Sequence, residues 1–252
     1  MTERALVTGA TAGIGNAFAR RLAADGVNLV LVARDERRLS EVAERLEERH
    51  GVEAQPLVAD LTDPEQLARV VDRLTDNTHP VDLLVNNAGA SISGWFGATD
   101  IAQEDRQLDL LVRAPMHLMD AALKSMSGRG RGAIVNVASM AAFTPRGAYS
   151  AHKAWLVNLS LWANLQYAQS GIAVQALCPG FTRTEFHRRM DADTSDVPRW
   201  TWLKADKVAA ASLTALRKGK PLCIPSMRYR ALAVLARHLS PRFVAKIAKR
   251  GR

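Results

Sequence analysis

Short aliphatic and β-branched runs alternate with amphipathic stretches along most of this 252-residue chain, and no other feature restricts its fold as much. The runs fall at Ala5–Thr8, Asn28–Ala33, Ala54–Ala59, Leu83–Asn86, Ala133–Ala138 and Ala173–Cys178, each of strand length. Between them the apolar period becomes helical: Leu39, Val42, Ala43 and Leu46 recur with Glu and Arg between, and Asp63-Pro64 has the chemistry of a cap followed by the first helical residue. Near-continuous apolar strands joined by helices predict a parallel sheet covered on both faces. No linker, low-complexity tract or internal repeat interrupts the pattern, so residues 1–252 are expected to form a single α/β doubly wound domain.

The formal charge of +9 invites a nucleic-acid reading, but its distribution argues against one. Residues 1–206 carry 22 basic and 25 acidic side chains, whereas residues 207–252 carry 12 basic and no acidic ones. The excess is confined to the tail, without a nucleic-acid-binding motif or aromatic stacking platform beside it. Only two cysteines occur, Cys178 and Cys223, each alone in an apolar stretch, which suits buried thiols in a reducing compartment. The six histidines show no ligand spacing with Cys, Asp or Glu, so no metal site is expected. Met1 to Arg4 run directly into Ala5-Leu6-Val7 with no room for a signal peptide, and no apolar run approaches the roughly 18 to 20 residues that span a bilayer. A cytoplasmic location is therefore expected.

Chemistry concentrates first at Thr8-Gly9-Ala10-Thr11-Ala12-Gly13-Ile14-Gly15, directly after the first strand and at the opening of a helix. A dinucleotide pyrophosphate placed there meets unpaired backbone N–H groups at the positive end of the helix dipole, and glycines let the backbone come close. The Gly-x3-Gly-x-Gly spacing departs from the commonest Gly-x-Gly-x-x-Gly fingerprint. Together with Asn86-Asn87-Ala88-Gly89 after the fourth strand, and Ser139 followed by Tyr149-x3-Lys153, it resembles the short-chain dehydrogenase/reductase family. The likeness is close over roughly residues 4–184 and implies a Rossmann-type fold binding a nicotinamide dinucleotide.

By that resemblance Gly9, Thr11, Gly13, Ile14 and Gly15 cradle the pyrophosphate, Asp60 meets the adenine, and Asn87, Ala88 and Gly89 form the cofactor floor. Pro179, Gly180, Thr182 and Thr184 resemble the turn that meets the nicotinamide carboxamide. The residue that separates NAD(H) from NADP(H) falls at Ala33, where a carboxylate would hold the adenosine ribose, and Arg34 follows with a charge suited to a 2′-phosphate. NADP(H) is the expected cofactor. The local alternatives are that Arg34 is a solvated charge and that Asp35 caps the next helix.

A phenol with a reference pKa of about 10 is a poor acid or base near neutrality. Lys153, four residues along the same helical face, is expected to lower the Tyr149 pKa and to hold the nicotinamide ribose. Tyr149 then exchanges the proton and Ser139 stabilises the substrate oxygen, so Ser139, Tyr149 and Lys153 form the expected catalytic set. Two features depart from the family. Nine residues separate Ser139 from Tyr149, three fewer than usual, and the Asn that supports a proton-relay water falls at Leu111. The expected reaction is hydride transfer between NADP(H) and a carbonyl or secondary alcohol. A cofactor-binding sensor or scaffold with little turnover is the alternative that Leu111 raises. Phe143, Trp95, Phe96, Phe186, Trp200 and Trp202 suggest an apolar pocket, although each suits core packing or an oligomer contact equally.

Residues 181–204 mix aromatic and charged residues with Pro198 and read as a substrate lid. Residues 228–252 read as two short basic amphipathic helices, the second opening at Ser240-Pro241. Their apolar faces suit packing on the body or a partner subunit, and also peripheral contact with an anionic membrane. A homodimer or homotetramer is implied by the family resemblance.

Overall fold

Along β1 (Arg4–Thr8), Ala5 and Val7 face one side of the sheet and Leu6 the other, and all three are fully buried. Both faces are therefore core, as a parallel sheet requires. The computed structural model describes residues 3–186 and 197–239. The further strands are β2 (Asn28–Ala33), β3 (Ala54–Val58), β4 (Leu83–Asn86), β5 (Gly132–Val137), β6 (Ile172–Leu177), β7 (Thr182–Arg183), β8 (Leu203–Lys204) and β9 (Leu222–Cys223). The main sheet is parallel throughout, in the order β3-β2-β1-β4-β5-β6-β9, so the chain reverses direction across the sheet between β1 and β4. All six strands expected from the sequence are present to within one residue at either end. Pro56, which cannot donate to a ladder, sits in the edge strand β3.

On one face lie α1 (Gly13–Ala24), α2 (Glu36–His50) and α7 (Ala205–Arg217), packing Phe18, Leu39 and Leu213 against the sheet. The other face carries α3 (Pro64–Thr75), α5 (Ala114–Arg129), α6 (Ala148–Tyr167) and α8 (Met227–His238). The expected caps form: the Asp35 carboxylate accepts from Arg38 N at 3.0 Å, and Asp63 accepts from Glu65 N and Gln66 N ahead of Pro64. Helix α4 (Ile101–Leu108) runs into α5 through one wide turn, Asp109–Arg113, in which Ala114 N–H reaches back to the Asp109 carbonyl. Pro115 explains the widening, since it has no N–H to return to Leu111.

Part of the expected lid, residues 187–196, and the expected second C-terminal helix from Ser240 lie outside the described residues. The described flanks of residues 187–196 are tied together by β7, which pairs with β8 in a separate two-stranded ribbon. Among the described residues no helix is long and apolar enough to cross a membrane.

Beneath the strand ends runs a buried amide ladder. Asn86 Nδ2 donates to Asn136 Oδ1 at 2.9 Å, and Asn136 Nδ2 donates to Ser160 Oγ at 2.8 Å, joining β4, β5 and α6. Asn136→Ala leaves Asn86 Nδ2 without its partner in the interior and Ser160 with only the Leu156 carbonyl, and is expected to lower folding stability by about 1–3 kcal/mol. Denaturant unfolding measures this; an unchanged midpoint would show that the ladder contributes nothing.

Candidate active site

The glycine turn lies against the end of β4, with the Asn87 side-chain amide bridging the two. A Cβ on Gly15 would fall 2.3 Å from the Gly9 carbonyl oxygen and 2.4 Å from Asn87 Nδ2, and one on Gly9 would fall 2.8 Å from the same amide. Asn87 closes the gap by donating to the Thr8 and Gly9 carbonyls at 2.8 and 3.3 Å, while Thr8 Oγ1 accepts from Asn87 N and Ala88 N, both at 2.9 Å. Gly13, at φ +57°, meets Thr184 on the opposite wall. Helix α1 opens at Gly13 with no side-chain cap and no acidic residue in its first turn. These features fit an anionic dinucleotide: the cradle is one a Cβ would fill, and the helix end offers free donors.

A cavity of about 1370 Å³ extends from this cradle along the C-terminal edge of the sheet. Every residue singled out above for cofactor or catalysis lines it except Gly15, which lies beneath the turn. Arg34, at the end of β2, stands 3.6 Å from Asp60 and is 70% exposed. Burial works against the Asp60 carboxylate, but hydrogen bonds from Thr62 and the charge of Arg34 hold it below the usual carboxylate range. Arg38, one helical turn beyond Arg34, lines the same cavity and grips Glu185 with two hydrogen bonds of 3.2 and 3.1 Å. The sequence reading missed Arg38, whose partner is 147 positions away.

The Ser139-Tyr149-Lys153 group forms where β5 meets α6. Ser139 Oγ accepts from Ala141 N at 3.1 Å, turning the chain into a short helical loop, Met140–Phe143, and Met140 N binds the Pro179 carbonyl. Tyr149 hydrogen-bonds the Ser139 side chain, and its ring lies 6.1 Å from that of Phe186. Lys153 is 5% exposed, donates to the Val137 carbonyl at 2.8 Å and lies 5.9 Å from the Tyr149 ring. Burial pushes the Lys153 ammonium down to about 8. It also pushes the Tyr149 phenol up to about 12, against the hydrogen bond from Ser139. The expected lowering of the Tyr149 pKa is therefore corrected for this state: loss of hydration outweighs a lysine that donates to a carbonyl.

Leu111 is 1% exposed and lies in the wide turn. With Lys153, Asn86 and Val137 it lines a second void of about 10 Å³. Trp95, Phe96, Phe143 and Phe186 line the main cavity as expected from sequence. Trp200 and Trp202 do not. Trp200 lies under the Arg228 guanidinium at 5.1 Å, and Trp202 packs on Phe181. Leu232, Leu235 and Leu239 border the cavity, the first two remaining about half-exposed, while Tyr229 and Ala233 are the α8 residues buried against the body. Tyr229, also missed from sequence, seats its ring on Gly180; its hydroxyl accepts from Phe181 N and donates to the Thr201 carbonyl.

A parallel sheet with a glycine cradle at its switch point and a Ser-Tyr-Lys group beside it has the features of a nicotinamide-linked oxidoreductase. Residues 3–195 match the short chain dehydrogenase family, and the chain belongs to it. The chain is similar to a short-chain dehydrogenase from Sphingobium yanoikuyae solved in complex with NADPH, at 36% identity and a TM-score of 0.86 over 93% of this chain and 94% of that one. It is also similar to a bulky-bulky ketone specific alcohol dehydrogenase from Comamonas testosteroni, at 32% identity and a TM-score of 0.82 over 96% and 98% of the two chains. The oxidoreductase UcpA of Escherichia coli strain K12 is 37% identical over 191 residues, covering 72% of this chain and 70% of the relative.

The depressed Lys153 pKa has a measurable consequence. Between pH about 8 and the ordinary lysine value of 10.5 the unfolded chain binds a proton that the folded protein does not, so stability gains with pH in that window. Thermal unfolding of wild type against Lys153→Met is expected to show the difference moving in favour of wild type from pH 8 to 10.5. A pH-independent difference would mean that Lys153 titrates normally.

Proposed function

We propose that this protein is an NADP(H)-dependent reductase of a bulky, largely apolar ketone or aldehyde, or the dehydrogenase of the matching secondary alcohol. The observation that carries the reading is the shared cavity: the glycine cradle, Arg34 and the Ser139-Tyr149-Lys153 group open onto one space. Gly9, Gly13 and the uncapped end of α1 hold the pyrophosphate, and Thr184 and Gly180 border the nicotinamide. When bound, the nicotinamide supplies or accepts the hydride.

This chain's own side chains handle the oxygen. Ser139, anchored by Ala141 N, points its hydroxyl at the substrate oxygen beside Tyr149. The phenol is protonated at neutral pH, but a value of about 12 makes it a weak acid, so donation to a developing alkoxide relies on a nearby cation to stabilise the phenolate. Lys153 remains mostly charged below about pH 8 and steadies the phenolate left behind. Trp95, Phe96 and Phe143 give the cavity an aromatic lining, the first two largely exposed, and so favour a bulky apolar substrate, in keeping with the Comamonas relative. The lid reading for residues 181–204 gains support from the cavity positions of Phe186, Val197 and Pro198. Exposed Trp162 and Leu165 on α6 support self-association into a dimer or tetramer.

NADP(H) over NAD(H) rests on Arg34 and Arg38 and on the absence of a carboxylate at Ala33. Arg34→Ala removes a charge-assisted contact to the 2′-phosphate and is expected to weaken NADPH binding roughly 10- to 100-fold more than NADH binding. Fluorescence titration with both cofactors decides, and equal losses make Arg34 a bystander.

Tyr149→Phe is expected to lower kcat by roughly 10²- to 10⁴-fold with little change in NADPH affinity, because only proton transfer is lost. A carbonyl screen read by NADPH absorbance tests this. Turnover that survives the substitution would reject the assignment, whereas wild-type protein that binds NADPH but reduces nothing would favour the sensor reading raised by Leu111.

A further inference from the structure

Inward positions of the α4–α5 helical run recur at Glu104, Gln107, Leu111, Ala114 and Leu118, all buried. The last three are apolar, as a core-facing stripe should be. The first two are a carboxylic acid and an amide, while Ile101 and Leu108 on the same helix are exposed. Glu104 and Gln107 are 8% and 4% exposed, and both line the main cavity. Their hydrogen-bonding capacity is largely unmet. Thr99 Oγ1 donates to Glu104 Oε1 at 2.7 Å, but Glu104 Oε2, Gln107 Oε1 and Gln107 Nε2 have no partner. Ser150, on the adjacent α6, adds a buried hydroxyl without a partner on the same cavity wall.

Unmatched donors and acceptors in a dry wall are costly, and the cost is recovered when a ligand completes them. We propose that Glu104 and Gln107 form a hydroxyl-recognition subsite, so that the substrate is a bulky hydroxyketone, or the matching diol, rather than a plain apolar ketone. The inference rests on the reductase reading above and deepens it. A hydroxyl satisfies both side chains at once, donating its proton to Glu104 Oε2 and accepting from Gln107 Nε2. An ammonium group cannot accept from the amide, a second ketone cannot donate to the carboxylate, and a substrate carboxylate would be repelled by Glu104. The subsite is thus a discriminating device in a pocket to which Trp95, Phe96, Phe143 and Phe186 give an aromatic wall. A polar pair left empty by the wrong substrate penalises it far more than a missing methylene would.

The test uses decalone and its ring-hydroxylated isomers as probes, with NADPH, on wild type, Glu104→Leu and Gln107→Leu. Wild type is expected to favour at least one hydroxylated isomer over the parent by roughly 10²- to 10⁴-fold in kcat/KM. That preference should fall to within about threefold in either variant. Gln107→Leu is also expected to raise Tm, because it removes unmet polar groups from the interior, and NADPH titration confirms that each variant is folded. Glu104→Gln, which keeps the shape and removes the charge, serves if the leucine variant does not fold. Equal kcat/KM for the parent and every hydroxylated isomer in wild type overturns the subsite, as does a preference that survives both substitutions. If no ketone is reduced, thermal-shift binding of the same probes to the NADP-loaded protein still decides. Binding that depends on the hydroxyl and on Gln107 keeps the subsite and rejects the reaction, whereas binding indifferent to the hydroxyl, or none, rejects the subsite.

Discussion

The contact on which the rest of the site depends is the stitch between Thr8 and Asn87. Parallel strands β1 and β4 are neighbours because the sheet reverses its order there, and the crevice at such a reversal is where a ligand can enter. The crevice is useful only if the turn after β1 stays flat against β4. The Asn87 amide spans the carbonyls of Thr8 and Gly9, and the Thr8 hydroxyl accepts two backbone N–H groups from the β4 end. Glycine at positions 9 and 15 follows from that closeness, since a methyl group at either would occupy space held by the amide. The free N–H groups of α1 then point into the cavity because the turn cannot rise.

Burial drives the second half of the site. Enclosing Lys153 and Tyr149 lowers the first pKa and raises the second, so burial moves the two groups apart and favours the neutral form of each. Lys153 is kept in place by the Val137 carbonyl, at the strand end from which Ser139 also departs. Leu111 completes the apolar packing around the ammonium. It supplies no side-chain hydrogen bond, yet the void of about 10 Å³ beside it is near the size of one water and is bordered by Asn86, whose Oδ1 has no protein partner. Asn86, at the end of β4, and Lys153 are thus polar side chains that Leu111 leaves on that void.

Much of this was legible in the sequence, and what was not has identifiable physical causes. The six long strands and the glycine turn carry local signals, periodicity and conformational need, and so were readable. Strand β9 has two residues between Pro221 and Pro225, too short for periodicity to register, and the β7–β8 ribbon exists only because distant segments meet. The roles of Arg38 and Tyr229 depend on partners far away in the chain, Glu185 for the first and Phe181 and Thr201 for the second. Glu104 and Gln107 were legible as helical residues, but only the packing shows that they face inward. A sequence pattern treats a polar residue as exposed until the fold contradicts it.

That contradiction matters most at the C-terminus, where charge dominates the composition. Read as a string, α8 is a basic amphipathic helix whose apolar face suits packing on the body or a partner subunit as well as an anionic surface. In the fold its leucines border the cavity, and Arg230 and Arg228 bind the carbonyls of Ile224 and Trp200. Tyr229 links three pieces, the Pro179-Gly180 turn, the segment ending at Thr201 and the helix itself, through one ring and one hydroxyl. A Cβ on Gly180 would fall 2.0 Å from that ring, so the Pro179-Gly180 turn and α8 are fitted to each other. Helix α8, basic in composition, thus contributes apolar side chains at the border of the cavity and a hydrogen-bonded clasp, so that end of the cavity takes its geometry from the last described helix inward.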